Sequence, residues 1–260
     1  MAHDEHLRSL FAAELPRLYA FAYQVAGERE TAYDFLLHLA RELRDSGLDG
    51  EGAPRDVLVG MLARSLEKNL GRKADQTFKI LDSILRSDVT RPVDMEAEGI
   101  DGDPDRIPVF LWELKRTCLT AVLGCLPPSV RLSFILTDLL GYAPAQAAIL
   151  LGIRESAFRV RLTRARKRIE DYLTPRCQHV DSGNACSCEG RLGIALEAHF
   201  VVAPPHTLDI PDTPHDADPD YRDMATLYGR LPPVVLERED IDGVLAAFDQ
   251  EPASRRAQGL

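Results

Sequence analysis

Residues 126–172 read LPPSVRLSFILTDLLGYAPAQAAILLGIRESAFRVRLTRARKRIEDY, and the fold turns on this stretch. Pro127 and Pro128 suit the first turn of a helix, where a missing N–H costs nothing. Gly141 closes that helix and Pro144 opens the next, which runs over Ala145 to Leu151. Gly152 supplies a sharp turn at little steric cost. The spacing then predicts a helix from about Arg154 to Leu173. Phe158, Leu162, Ala165, Ile169 and Leu173 recur every three or four residues and form one apolar stripe. Off that stripe stand Arg159, Arg161, Arg164, Arg166, Lys167 and Arg168. A short helix, a glycine-bearing turn and a basic second helix make a helix-turn-helix, whose second helix enters the DNA major groove.

A run of charge on a helix is ordinarily a solvated face. Here the local balance departs from the rest of the chain. Residues 154–176 hold eight Arg or Lys against Glu155, Glu170 and Asp171, a net of +5 within a protein of net charge −10. Such an excess is an electrostatic footprint for phosphate. The residues opposite the apolar stripe are Arg159, Val160, Thr163, Arg164 and Lys167, with Arg154 and Ser156 at the helix start. These are the candidate DNA-reading positions.

The phrases LPPSVR, LLGYAPAQAAILLGI and ESAFRVRLTRARKR resemble region four of bacterial RNA polymerase sigma factors of the extracytoplasmic-function group. The resemblance implies an all-α protein in which this helix-turn-helix reads the upstream promoter element. It also implies core RNA polymerase and promoter DNA as partners, and an anti-sigma factor as a further one.

Upstream, Leu7 to Val25 and Thr31 to Leu43 carry helical stripes separated by Gly27, and Pro54 to Lys73 carries a third. On the residues alone this is a small helical bundle. Beside the family pattern, LPRLYAFAYQVAGERETAYDFLLHLARELR and APRDVLVGMLARSLEKNLGRK resemble region two. That resemblance implies a polymerase-docking face at Asp34, His38 and Arg41, and contacts near the melted promoter element from Asn69, Arg72 and Lys73. The aromatic cluster that the family carries is absent from residues 52–62. Aromatic side chains stack on bases of opened strands, so a DNA-binding regulator that has lost promoter melting is the alternative reading.

From 76 to 108 acids and prolines dominate, a composition that cannot bury enough apolar surface to order itself and reads as a linker. An amphipathic helix from Val109 begins the second domain, with Cys118 and Cys125 expected in its core. After the basic helix come Cys177, His179, Cys186 and Cys188. Three thiols and an imidazole within twelve residues make a tetrahedral donor set for zinc or another soft metal ion. Thiolates near arginine can instead be redox-reactive. Some sigma factors of this group carry a cysteine-rich C-terminal extension that responds to metal, and this segment is similar in placement. His199, His206 and His215 read as bystanders.

The organisation expected is therefore a region-two-like domain over 1–75, an acidic linker over 76–108 and a region-four-like domain over 109–175. A Cys/His extension over 176–202 and an acidic, proline-rich tail with a short amphipathic helix over 203–260 complete it. Residues 177–260 hold fifteen Asp or Glu against six Arg, so nearly all the excess acidity lies there. No apolar run approaches the length of a membrane span, no basic-then-apolar leader is present, and a cytoplasmic location with reduced cysteines is expected. The sequence shows no Gly-rich phosphate loop, nucleophile–base set or paired carboxylates, so no enzyme is expected. A zinc hydrolase ranks far below, because four protein ligands leave no position for water.

Overall fold

A computed structural model describes residues 2–46, 48, 55–85, 106–201, 224–232 and 234–250. Among them are eleven α-helices and no strand, so the protein is all-α as the periodicity predicts. The chain divides into two compact units. The first comprises Met1–Arg72, Ile135–Val160 and Pro233–Leu260, and the second Lys73–Phe134 and Arg161–Pro232.

The first unit is built on α1 (Ala2–Ala26), α2 (Arg29–Asp45) and α3 (Arg55–Asn69). In α1 the stripe Leu7, Phe11, Leu15, Leu18, Ala22 and Val25 is buried throughout. Gly27 ends the helix at φ +85°, and its N–H donates to the Tyr23 carbonyl at 2.7 Å. This left-handed cap suits glycine because no Cβ meets the preceding carbonyl. In α2, Ala32, Leu36, Leu39, Ala40 and Leu43 are buried, while Asp34, His38 and Arg41 stay exposed. α3 is buried almost all round, because α1, α2 and the later helix α7 (Pro144–Leu151) all pack on it. There Arg64 Nη1 donates to the Leu150 carbonyl at 2.6 Å, and the Tyr142 hydroxyl donates to Asp56 Oδ1 at 2.8 Å.

The last helix, α11 (Arg238–Asp249), lies against α1 and α2. Val244, Leu245, Ala247 and Phe248 are buried, and the Phe248 ring stands 6.0 Å from that of Phe11. Arg44 Nη1 donates to the Phe248 carbonyl at 3.0 Å, and Arg8 pairs with Asp249 at 2.8 Å. A Cβ at Gly243 would meet the Tyr33 hydroxyl, so any other residue there displaces the end of that side chain.

The second unit contains α4 (Phe78–Leu85), α5 (Arg106–Gly124), α6 (Pro128–Phe134), α9 (Glu189–Glu197) and α10 (Met224–Gly229). The Arg131 side chain, 1% exposed, ties α5 and α6 together. It pairs with Asp75 Oδ2 at 2.6 Å and donates to the carbonyls of Gly124 and Leu126 at 3.3 and 3.0 Å. Such charge-assisted bonds satisfy carbonyls that the end of α5 leaves without helical partners. The Tyr228 hydroxyl from α10 donates to the Leu119 carbonyl, and its ring meets Phe134 edge-on.

The stretch expected to be a linker begins with an ordered helix. Phe78 of α4 stacks on Tyr172 with centroids 4.4 Å apart, Asp82 accepts from the Tyr172 hydroxyl at 2.8 Å, and Leu81 is fully buried. Composition missed this because a few apolar residues at helical spacing suffice once a neighbouring helix offers partners. Residues 86–105 of the linker, and His206 and His215 in the tail, lie outside the described residues. Cys125 is buried as expected, which pushes its thiol up to about 11, whereas Cys118 is half-buried.

Candidate nucleic-acid interface

The helix-turn-helix begins at α6, which Pro128 opens and which continues into a π-helical turn at Ile135–Leu139. There Leu140 N–H reaches back five residues to the Ile135 carbonyl at 2.9 Å, and Tyr142 N–H reaches the Leu136 carbonyl. Gly141 follows at φ +78° and turns the chain into α7. Pro144 is the first residue of α7, and the Gln146 side chain accepts from the Ala143 N–H at 3.2 Å. Gly152 ends α7 at φ +67°, and Ile153 N–H donates to the Ala148 carbonyl at 3.0 Å. That six-to-one bond with a left-handed glycine is the Schellman ending. The turn between the two helices is therefore set by local chemistry.

The basic helix, α8, spans Glu155–Leu173. Arg154 occupies its N-cap position, since its carbonyl accepts from the Phe158 N–H. Arginine has no side-chain acceptor and cannot cap the first turn as serine would. Glu155 stands in the first turn, where a carboxylate complements the helix dipole. Phe158, Leu162, Ala165, Ile169 and Leu173 are buried, as the stripe predicts. Arg154, Ser156, Arg159, Val160, Thr163, Arg164 and Lys167 are all exposed. Val160 is half exposed, a rare position for a large apolar side chain in this fold. An uncovered apolar group among arginines is suited to a thymine methyl. Arg159 pairs with Glu155 at 2.7 Å and Lys167 with Asp171 at 3.1 Å, both one helical turn apart and both solvated.

The remaining candidate positions fall on different surroundings. Asn69, Arg72 and Lys73 are exposed at and beyond the end of α3, with Asn69 Nδ2 held by the Ser65 carbonyl at 2.9 Å. A cavity of about 560 Å³ opens between α2 and α3. Asp34 and His38 line it, and so does Asn69, whereas Arg41 does not. Two residues expected to face polymerase thus share a cavity with one expected to contact DNA. Other residues of this wall, among them Phe35, Glu42, Met61 and Lys68, were not singled out as site residues from sequence. They sit on two helices, and only their packing makes one site.

Beyond α8, the Cys177-to-Cys188 segment folds back on itself. Cys177 and Cys186 form a parallel bridge, with Gln178 N–H donating to the Cys186 carbonyl at 3.0 Å. Asp181 Oδ1 accepts from Gly183 N–H at 2.9 Å, and Asn184 Nδ2 donates to the carbonyls of Thr174 and Cys177. These bonds form the turn that the Asp-Ser-Gly-Asn run predicts. His179 is buried, with Nε2 3.4 Å from Cys188 Sγ. Burial pushes the thiols of Cys177 and Cys188 upward, partly opposed by the Lys115 ammonium. Among the described residues, no group of three or more His, Cys, Asp or Glu is arranged so that it could hold a metal ion. The donor types suit zinc, but their present arrangement does not form a coordination site.

Residues 116–169 match the family described as Sigma-70, region 4. The matched segment begins within α5 and ends within α8, so it contains the first helix of the helix-turn-helix, the turn and most of the second helix. Over this segment, about a fifth of the chain, the protein is similar to region 4 of sigma-70 factors. No solved structure matches the chain. No described helix is long and apolar enough to cross a membrane.

Proposed function

We propose that this protein is a sigma factor of the extracytoplasmic-function type that directs core RNA polymerase to promoters from the cytoplasm. The observation that carries the reading is the open basic face of α8, presented within a segment similar to sigma region four. Arg159, Val160, Thr163 and Arg164 read base edges of the upstream element, with Arg154 and Ser156 at the helix start. Lys167 holds phosphate. Bidentate arginine to guanine is the commonest specific contact in the major groove. The first unit docks on polymerase through α2, with Asp34, His38 and Arg41, and Asn69, Arg72 and Lys73 contact DNA near the opened element. An anti-sigma factor is a further partner in this reading.

A second reading, a DNA-binding regulator that no longer opens promoters, has one observation in its favour. α3 carries no aromatic residue to stack on an unpaired base. Reconstituted transcription with core polymerase and a promoter template separates the two. Specific initiation supports the first reading, and promoter binding without initiation supports the second.

The reading includes metal at Cys177, His179, Cys186 and Cys188. Bound there, zinc would cross-link the segment that follows α8 and fix the direction in which the acidic tail departs. It would supply structure rather than reaction chemistry. The donor types and the shared turn support this, and binding requires the side chains to rearrange.

A further inference from the structure

The turn after α8 sets two of its three cysteines directly opposite one another. Cys177 N–H donates to the Leu173 carbonyl at 2.8 Å, so this residue is held against the C-terminal turn of α8. Cys186 pairs with it as a parallel bridge: Gln178 N–H donates to the Cys186 carbonyl at 3.0 Å, and Cys186 N–H to the Arg176 carbonyl at 3.4 Å. Backbones paired in this way lie about 4.8 Å apart, and directly opposed residues put their side chains on one face. A disulfide needs Cα atoms about 4.4–6.8 Å apart, a range that includes this spacing. Asn184 Nδ2 holds the turn from within by donating to the Thr174 and Cys177 carbonyls at 2.8 and 3.0 Å. The remaining thiols are placed differently. Cys188 stands at the start of α9 with its Sγ 3.4 Å from His179 Nε2, Cys118 lies within α5, and Cys125 lies just beyond the end of α5.

We infer that Cys177 and Cys186 form a reversible disulfide by exchange with a small-molecule disulfide such as oxidised glutathione. The Cys186 thiolate attacks one sulfur of the small disulfide, and the other sulfur leaves as a thiolate. The Cys177 thiolate then attacks the Cys186 sulfur of this mixed disulfide and expels the second small thiol. Two protein thiols thus give up two electrons and two protons, and one small disulfide becomes two small thiols. A reducing compartment keeps the pair as thiols at rest, and the bond forms when the disulfide share of the thiol pool rises. Once formed, it closes the chain from Cys177 to Cys186 into a ring and ties the end of α8 to the segment that leads into α9. The same two sulfurs are then lost as metal ligands, so disulfide and zinc exclude one another at this turn. The inference depends neither on metal binding nor on the sigma-type reading.

The test is oxidation of the full-length protein in buffers of set ratios of reduced to oxidised glutathione, with chelator throughout so that bound metal does not mask the thiols. After acid quenching and unfolding, alkylation counts the remaining thiols by mass. The count falls from five to three as the oxidised share rises, and dithiothreitol restores it. Proteolysis before Asp181 separates Cys177 from Cys186, and the two fragments stay joined until reduced. Cys188→Ser oxidises as the parent does, whereas Cys177→Ser and Cys186→Ser each form an internal bond about tenfold less readily. In the folded parent the Cys177–Cys186 bond exceeds Cys177–Cys188 about tenfold, and in denaturing urea that preference disappears, because the paired backbones set it. The parent's own linkage map carries the test even where a cysteine variant folds poorly. A count that stays at five in every buffer, Cys177 joined mainly to Cys188, disulfide-linked dimers in place of an internal bond, or the same pairing ratio in urea overturns the inference.

Discussion

Replacing Arg159 with alanine separates DNA reading from stability. The Arg159 side chain is 62% exposed, and it pairs among others with Glu155, itself 44% exposed, at 2.7 Å. An i,i+4 pair of this kind stabilises a helix by about 0.3–0.5 kcal/mol. In a protein of this size that is a shift in Tm of about 1–2 °C. Loss of a guanine contact, by contrast, costs about 1–3 kcal/mol, or roughly 5- to 150-fold in affinity. Phe158, one position earlier and fully buried, gives the opposite profile. Its alanine variant loses about 3–5 kcal/mol of stability through lost burial and a cavity. The assay is a fluorescence-anisotropy titration of promoter duplex at two salt concentrations, beside a thermal melt of each variant. Arg159→Ala should relax preference at one base pair with nearly unchanged Tm. If Arg159 holds phosphate instead, the loss is uniform across sequences and the salt slope falls by about one. Unchanged affinity and unchanged sequence preference in both Arg159→Ala and Arg164→Ala would refute the placement of α8 in the groove.

Other outcomes follow from the same geometry. In a pull-down with core polymerase, Asp34→Arg should recover markedly less polymerase than the parent protein, and equal recovery removes this face as the interface. Purified protein should contain about one equivalent of zinc or a similar ion that Cys186→Ser with Cys188→Ser abolishes. A metal-free parent defeats the site, and lost metal with unchanged promoter affinity leaves a structural role alone. Tyr142 is raised to about 12, by burial first and then by its hydrogen bond to Asp56. A folded value above the unfolded one means stability is fully present below about pH 10 and is lost as pH rises toward 12. Denaturant melts of Tyr142→Phe should therefore show a shallower alkaline decline than the parent, and identical profiles would show that the Tyr142 hydroxyl does not contribute.

How far the sequence reaches can be read from particular residues. The helix-turn-helix was legible because everything that forms it is local. Pro128, Pro144 and Gly152 act through their own backbone preferences, and the stripe from Phe158 to Leu173 follows from 3.6 residues per turn. The exposure of Arg159 and Arg164 came with that stripe, since burying one face of a helix leaves the opposite face to solvent. The docking of α11 was not legible. The stretch holding Val244 and Phe248 reads as an amphipathic helix in isolation, and nothing in its pattern names Phe11 and Tyr33, over two hundred residues earlier, as its partners. α4 escaped for the same reason, because Phe78 orders only against Tyr172. Likewise, Asp34 and Asn69 belong to separate stripes, and only the packing of α2 on α3 gives them one cavity with Phe35 and Lys68. The four Cys and His residues were legible as donor types and as a turn. Their distances were not, because the bridge between Cys177 and Cys186 and the burial of His179 are set by the tertiary packing around the turn. Local backbone chemistry and periodicity determine which helices exist and which face of each is apolar, and the choice of what covers that face is a long-range contact that only the folded chain makes.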